Sequence, residues 1–327
     1  MKKILTLLLA LWMLTGCVAM AAGNQLVVGS TTAMSGAFFT DLFGSNTADI
    51  DVRALLHGYN LMSWDNETGT YQINDSVVAG MAVSRDAQNN RVYTFDLYGD
   101  LKFSDGSAIT AKDYAFSILL TASPELAKLG GQSAAVGAIL GMDAYQSGKS
   151  SVLRGVRLLS DTQMSITISK AYEPYFYEMA LFDYSPYPIS VLAPGCKVVD
   201  TEKGVGIVNA SGTGDAIFTA GLLQKTILDA ATGYMSHPSV VSGPYTLTSY
   251  DAQSGTASFA INPYYKGNED GEKPTIETIV YRPVANDEAI DLLLSGEVDL
   301  LNKMVAADTI SKGIQSTADQ PFSVANY

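Results

Sequence analysis

The distribution of apolar and polar residues predicts alternating strands and helices along most of the chain. Leu26 to Gly29 is a short apolar run that is typical of a buried strand. Residues Val92 to Leu97 alternate between apolar and polar, which predicts a half-buried strand. Apolar residues recur at helical spacing between Val52 and Leu61 and predict a helix. Gly243 to Leu247 and Thr256 to Ile261 are predicted to form an antiparallel pair of strands.

The last third of the chain changes to a strand, helix and strand order. Ile276 to Tyr281 is rich in β-branched residues and predicts a strand. Asn286 is placed to cap a helix that Gly296 ends, and Val298 to Leu301 is predicted to be a strand again. Such a unit implies two parallel strands in one sheet, joined by a right-handed crossover.

A turn followed by a capped helix is predicted in the middle of the first half. Asp105-Gly106 favours a tight reversal, because glycine readily adopts a positive φ. Thr110 and Asp113 have the spacing of a capping box at the start of a helix. Ser123-Pro124 is expected to end that helix.

The composition limits the classes of protein to be considered. The chain has 327 residues, of which 47% are hydrophobic and 16% charged, so it can fill a sizeable core and is neither disordered nor a coiled coil. The length favours about two domains. The formal net charge is −13 and no basic stripe is present, which argues against nucleic acid as a partner. Two cysteines exclude a disulfide framework and a thiolate zinc cluster.

The N terminus has the pattern of an export signal. Lys2 and Lys3 precede an apolar run from Ile4 to Met13, which is too short to span a bilayer. Leu14-Thr15-Gly16-Cys17 follows and resembles a bacterial lipobox, so we predict a signal peptide over 1–16 and lipidation of Cys17. The alternative is an ordinary signal peptide cleaved after Ala19-Met20-Ala21. The lipobox interpretation predicts an extracytoplasmic, membrane-anchored lipoprotein.

Catalytic motifs are weak throughout the sequence. Gly148-Lys149-Ser150 ends like a phosphate-binding loop, but Asp143 stands where the first glycine is required. His57 and His237 are the only histidines, and we interpret both as structural. Neither has the spacing of a zinc motif, and no calcium loop is present. The sequence therefore predicts a protein that is not an enzyme and needs no metal or cofactor.

Several segments together resemble one family of binding proteins. They are Leu101 to Ser117, Pro174 to Tyr177, Ser242 to Tyr245 with Asn262 to Tyr265, and Leu294 to Leu300. In this order, and after a lipobox, they resemble the family 5 extracellular solute-binding proteins, the oligopeptide- and dipeptide-binding lipoproteins of ABC importers. The resemblance covers nearly all of the chain after Cys17.

The resemblance implies an α/β fold of the periplasmic-binding-protein type, type II. It has two lobes that close by hinge bending around the ligand. It implies a lipoprotein signal peptide over 1–16, a discontinuous domain I over 17–57 and 160–270, an inserted domain II over 58–159, and the start of domain III over 271–327. Family members continue well beyond the position of Tyr327, so we expect an N-terminal fragment with an incomplete second lobe that binds peptide poorly by itself.

The function implied by the resemblance is peptide capture for import. The protein would hold a peptide between its lobes and deliver it to an ABC permease and its ATPase, working as a monomer that a lipid anchor holds at the membrane. In the family the peptide lies extended and is bound largely through its main chain. Two alternatives stay open: a non-peptide solute such as a nickel chelate, haem or a sugar, and a sensor lipoprotein with no role in transport.

Two sets of residues are implied as ligand contacts. Thr32, Ala33, Met34 and Ser35 follow the first strand, where the family's backbone touches the ligand, and an ordinary loop is the alternative. The second set is Ser242 and Gly243, which occupy the hinge-side strand, with a turn glycine before Pro244 as the alternative. The carboxylate that binds a peptide's amino terminus in the family is expected in the absent region, so no residue of this chain is assigned that role.

We predict that Cys17 alone anchors the protein. In a Cys17→Ser variant the acyl chains cannot be attached, so the protein should move from the membrane fraction to the soluble fraction of the cell. Cell fractionation followed by immunoblotting measures this. A variant that sediments with membranes as the parent does would contradict the prediction.

Overall fold

The computed structural model of the chain describes residues 24–133, 137–173, 175–318 and 322–325. The predicted signal peptide and Cys17 lie outside these residues. The strands of the described part are β1 (Gln25–Ser30), β2 (Met62–Asp65), β3 (Thr70–Ile73), β4 (Val78–Arg85), β5 (Arg91–Leu97), β6 (Val152–Leu153), β7 (Val156–Leu158), β8 (Gln163–Ile168), β9 (Cys196–Thr201), β10 (Gly204–Asn209), β11 (Tyr245–Asp251), β12 (Thr256–Ile261), β13 (Thr278–Pro283) and β14 (Leu300–Asn302).

The helices of the same residues are mostly short. They are α1 (Thr47–Leu56), α2 (Ala111–Thr121), α3 (Pro124–Ala127), α4 (Met142–Gln146), α5 (Ile189–Leu192), α6 (Ala220–Thr226), α7 (Ala289–Ser295) and α8 (Ala307–Ser316), with 3₁₀ turns at Lys170–Tyr172 and Glu178–Phe182. In the described part of the chain, no helix has the length and apolar character needed to cross a membrane.

The largest sheet joins the two ends of the described chain. Its five strands lie in the order β11, β12, β13, β1, β14. β1 pairs in parallel with β13 on one side and with β14 on the other, while β11, β12 and β13 are antiparallel. The parallel pairing predicted for the strand, helix and strand unit is confirmed, with β1 between its two strands. β13 and β14, which lie in the part of the chain that the resemblance assigns to domain III, pair with β1.

Three smaller sheets surround the main hydrophobic core. Their strand orders are β4-β5-β8-β7, β6-β10-β9 and β2-β3. The core packs the helix α2 against them and includes Phe95, Tyr114, Phe116 and Phe182, none of which is measurably exposed. β8 pairs with β5, and β6 pairs with β10. The boundary implied between residues 159 and 160 falls between β7 and β8, which pair with each other in one sheet.

The first helix is displaced toward the N terminus relative to its prediction. Asn46 caps it, since its Oδ1 accepts from the amides of Ala48 at 3.0 Å and Asp49 at 3.1 Å. The apolar spacing that continues to Tyr59 is not helical, because the chain leaves the helix after Leu56 and Tyr59 has a φ of +59°. Tyr59 is nevertheless buried, which explains why the apolar pattern extends past the helix end.

The turn predicted before α2 is present, and so is the acidic half of the predicted capping box. Gly106 has a φ of +84°, as a tight turn requires. The Asp113 carboxylate accepts from the Thr110 amide at 2.8 Å and from its hydroxyl at 2.9 Å, so the acidic half of the capping box is confirmed. Burial raises the pKa of Asp113 to about 6, against the opposing effect of these hydrogen bonds. Asn286 was predicted to cap α7, but the cap position is Glu288.

His57, at the end of α1, packs inside a cluster of aromatic rings. Its ring lies 5.8 Å from that of Phe39 and 6.2 Å from that of Tyr234. Its Nε2 is 3.0 Å from the carbonyl oxygen of Phe38, to which a neutral ring can donate. Burial lowers the pKa of His57 to about 4. This environment fits the structural interpretation of His57.

We predict that His57 makes the protein less stable in acid. The unfolded state, with a histidine pKa of 6.5, binds more protons than the folded state between about pH 4 and 6.5. Stability from this group is therefore complete above pH 6.5 and falls by up to about 3 kcal/mol as the pH drops to 4. Urea unfolding of the parent and of His57→Gln across this range measures the difference. An identical pH dependence in both proteins would contradict the prediction.

Candidate ligand-binding site

The carboxyl ends of the three parallel strands form one edge of the large sheet. Ser30 at the end of β1 is in register with Pro283 of β13 and with Asn302 of β14. In open α/β sheets, ligands bind outside this edge where the connections diverge to either side. Here β13 and β14 flank β1, so the connections diverge at the carboxyl end of β1. This point comes directly before the predicted contact residues 32–35.

The loop 32–35 is held in place by hydrogen bonds, while two of its backbone amides have no acceptor in the described part of the chain. The Ala33 carbonyl accepts from Asn46 Nδ2 at 2.8 Å, and the Ser35 amide donates to Asp49 Oδ1 at 2.9 Å. The Thr32 amide donates to Ser30 Oγ at 3.2 Å. Within the described residues, the amides of Ala33 and Met34 have no hydrogen-bond acceptor. Ala33 is exposed, so its amide is the donor that we expect an extended ligand to reach, whereas the side chain of Met34 is buried in the core.

Asp49 organises this loop, although the sequence analysis did not select it. Its side chain is completely buried and accepts from the Ser35 amide, from the Ser35 hydroxyl at 2.6 Å and from the Asn46 amide at 3.0 Å. The signal was present in the sequence, because Asn46-x-x-Asp49 has the spacing of a capping box. The box both starts α1 and fixes the loop, so helix formation positions the candidate site.

The predicted contacts Ser242 and Gly243 are used within the protein. Ser242 is 1% exposed, and its hydroxyl donates to the Gly58 carbonyl at 3.0 Å and accepts from the Gly58 amide at 3.2 Å. The Gly243 amide donates to the Leu56 carbonyl at 2.8 Å, and its own carbonyl accepts from Asn262 Nδ2. These contacts support the architectural alternative for both residues.

A second polar cluster lies at the same edge, beside the loop. The Asp51 carboxylate, on α1, accepts from Tyr281 Oη at 2.8 Å and from Asn302 Nδ2 at 2.7 Å. It also forms an ion pair with Lys303, whose Nζ lies 3.4 Å from the Thr47 carbonyl. Burial raises the pKa of Tyr281 to about 12, so its hydroxyl remains a donor. Sequence reasoning missed this cluster because its members meet only in the folded sheet.

Other features are separate from this edge. A cavity of about 590 Å³ lies between α3, α4 and β10, lined by residues that include Tyr145, Ile207 and Phe218. Its carboxylate, Glu125, already pairs with Lys128 and accepts from the Ala220 amide. Among the described residues, no group of acidic, histidine and cysteine side chains could hold a metal ion.

This mixed α/β architecture is that of the periplasmic solute-binding proteins. The chain belongs to one of their families: its residues 76–325 match the middle region of the bacterial extracellular solute-binding proteins, family 5. The family assignment made from the four sequence segments is confirmed.

Curated relatives are oligopeptide-binding proteins. The chain is 25% identical over 238 residues to the periplasmic oligopeptide-binding protein OppA of Escherichia coli K12, covering 71% of this chain and 36% of that protein. It is 27% identical over 233 residues to oligopeptide-binding protein OppA of Lactococcus lactis IL1403, covering 70% and 32% respectively. The chain thus spans about a third of the length of these relatives.

Solved structures share the fold. Lactococcal OppA, complexed with an endogenous peptide in the closed conformation, superposes with a TM-score of 0.63 at 21% identity, over 90% of this chain and 48% of that one. Listeria monocytogenes OppA bound to peptide gives a TM-score of 0.60 at 18% identity, over 92% and 49%. The periplasmic EDTA-binding protein EppA gives 0.59 at 14% identity, over 90% and 46%.

We predict that Gly243→Ala destabilises the fold. A Cβ at this position would lie 2.5 Å from the Leu55 carbonyl oxygen, so backbone must move, at a cost of about 1–3 kcal/mol. Gly99→Ala is the matched control, because its Cβ would meet only Thr162 at 3.5 Å. Thermal unfolding measures both. A Gly243→Ala protein that melts like the control but loses ligand binding would favour the ligand-contact interpretation.

Proposed function

We propose that this chain is part of the extracytoplasmic solute-binding subunit of an ABC importer, and that its solute is a peptide. The protein captures an extended peptide at the carboxyl edge of β1, β13 and β14 and delivers it to a membrane permease. The curated relatives that carry oligopeptide-binding names support the peptide as solute. The binding residues that we assign on this lobe are Thr32, Ala33, Met34 and Ser35.

One observation carries the proposal. The Ala33 and Met34 amides lie at the exit of the central parallel strand without acceptors among the described residues, while Asn46 and Asp49 hold the surrounding loop still. A peptide main chain has carbonyl oxygens that can accept from backbone amides of this kind. Binding through backbone atoms gives affinity that is largely independent of the peptide's side chains.

Location at the membrane is a further part of the proposal. The lipobox ending at Cys17 supports a lipid anchor, which would keep the binding protein near its permease. We regard Ser242 and Gly243 as residues that join the end of α1 to the start of β11. They affect the ligand only by fixing the position of the loop 32–35.

Native mass spectrometry of the purified gene product tests the function directly. We expect denaturation to release peptides that are identified by their masses. We also expect these peptides to bind again when calorimetry measures their rebinding. Release of a metal chelate, haem or a sugar instead would favour the non-peptide alternative. A protein that releases nothing and binds no peptide would favour the sensor alternative.

We predict that Asp49→Asn weakens peptide binding by about tenfold or more, a loss of roughly 1.4 kcal/mol. The amide cannot accept all three hydrogen bonds that Asp49 accepts, so the loop loses its fixed position. Asp291→Asn is the control, since Asp291 forms its ion pair with Lys312 at an exposed site. Calorimetric titration well below the melting temperature measures the affinity. Equal affinities in the two variants would contradict the assignment of the loop.

A further inference from the structure

Lys303 stands directly after β14, at the edge where the ligand loop begins. Its φ is +56°, a left-handed conformation that costs energy for a residue other than glycine. Such strain persists only where the surroundings enforce it, and it is often found at binding sites. The conformation brings the ammonium group to the first turn of α1, where it meets Asp51 and the Thr47 carbonyl. Thr47 follows Asn46, which holds the Ala33 carbonyl.

Asp51 does not depend on Lys303 for its hydrogen bonds. Its Oδ2 accepts from Tyr281 and Asn302, which come from two different strands of the sheet. If the ammonium moved away, the carboxylate would keep both donors. Lys303, by contrast, has one N–H without an acceptor among the described residues, and its side chain is 31% exposed. Lys303 is therefore the movable member of the pair, and Asp51 is the fixed one.

Two other described cations near this edge are held by the protein itself. Arg282, one residue before the end of β13, forms an ion pair with Glu297. Arg53 donates to the Ala37 carbonyl at 2.8 Å and to Ser45 Oγ at 3.2 Å, both in the chain that follows the loop. In a protein with a formal net charge of −13, a free carboxylate approaching this edge is repelled unless a local cation compensates. Lys303 is placed to provide that compensation.

We infer that Lys303 is a specificity-determining residue that selects solutes carrying a carboxylate near the loop 32–35. The inference rests on the proposed function and names the chemical class of its ligand. In the empty protein Asp51 holds the ammonium group at the edge. On binding, the ammonium turns toward the ligand's carboxylate and forms a charge-assisted hydrogen bond. The carboxylate is either the C-terminal group of a peptide or an acidic side chain.

Four matched peptides and three variants test this inference on the full-length gene product. The peptides share one sequence and end in a free carboxylate or an amide, with either Glu or Gln at one internal position. The variants are Lys303→Gln, Asp51→Asn and the control Lys312→Gln, which removes an exposed lysine that pairs with Asp291. Affinities come from calorimetry, and thermal unfolding checks each variant.

In one of the two comparisons, the parent and Lys312→Gln should bind the peptide that carries the carboxylate about tenfold more tightly than the matched neutral peptide. If the affinities differ between the peptides with a free carboxylate and an amide end, the carboxylate is terminal. If they differ between the Glu and Gln peptides, it is a side chain. Lys303→Gln should abolish the preference, whereas Asp51→Asn should increase it, because the ammonium loses its competing partner. If the Asp51–Lys303 ion pair were purely structural, both variants would lose affinity for the peptides.

Two results would overturn the inference, and they are distinguishable. If the parent binds peptides without regard to their carboxylates, or Lys303→Gln keeps the parent's preference, the inference is wrong and the proposed function stands. If the parent binds none of the four peptides, nor any from a mixed library, the proposed function fails and the inference fails with it.

Discussion

The contact between Gly243 and the end of α1 is the constraint on which the arrangement of the candidate site depends. A hydrogen atom is all that fits at the α-carbon, because a Cβ would lie 2.5 Å from the Leu55 carbonyl oxygen. The Ser242 hydroxyl bridges both backbone groups of Gly58, and Gly243 bonds to Leu56. This joint fixes where α1 ends and brings β11 beside it. Since α1 carries Asp49 and Asp51 near its other end, the joint sets their position relative to the sheet.

From that position α1 serves the carboxyl edge of the sheet in two ways. Asp49 holds the loop that follows β1 through the amide of Ser35, and Asp51 accepts hydrogen bonds from Tyr281 of β13 and Asn302 of β14. Asp49 is fully buried and Asp51 is partly exposed, and each carboxylate accepts several hydrogen bonds, so both arrangements are well determined. The edge therefore combines unpaired backbone donors with one movable charge, which suits a ligand with an extended main chain and a carboxylate.

Much of this fold could be predicted from the sequence, because strands and caps are local. β5 is observed almost where alternation placed it, β12 spans the predicted residues Thr256–Ile261, and α7 ends at Gly296 as predicted, with a positive φ. The pairing of β13 with β1 could not be predicted, because it joins residues 250 or more positions apart. Local pattern carries no information about such pairing. Asn46 and Asp49 had a readable capping pattern, whereas the Asp51 cluster depends on sheet order alone.

Amide hydrogen exchange with and without bound peptide tests the central claim most directly. With the ligand on the unpaired amides of Ala33 and Met34, bound peptide should slow exchange there and in the residues around Asn302. Protection confined to another surface, such as the cavity lined by Tyr145 and Phe218, would contradict it. So would unchanged exchange of the loop amides at a peptide concentration that saturates the protein.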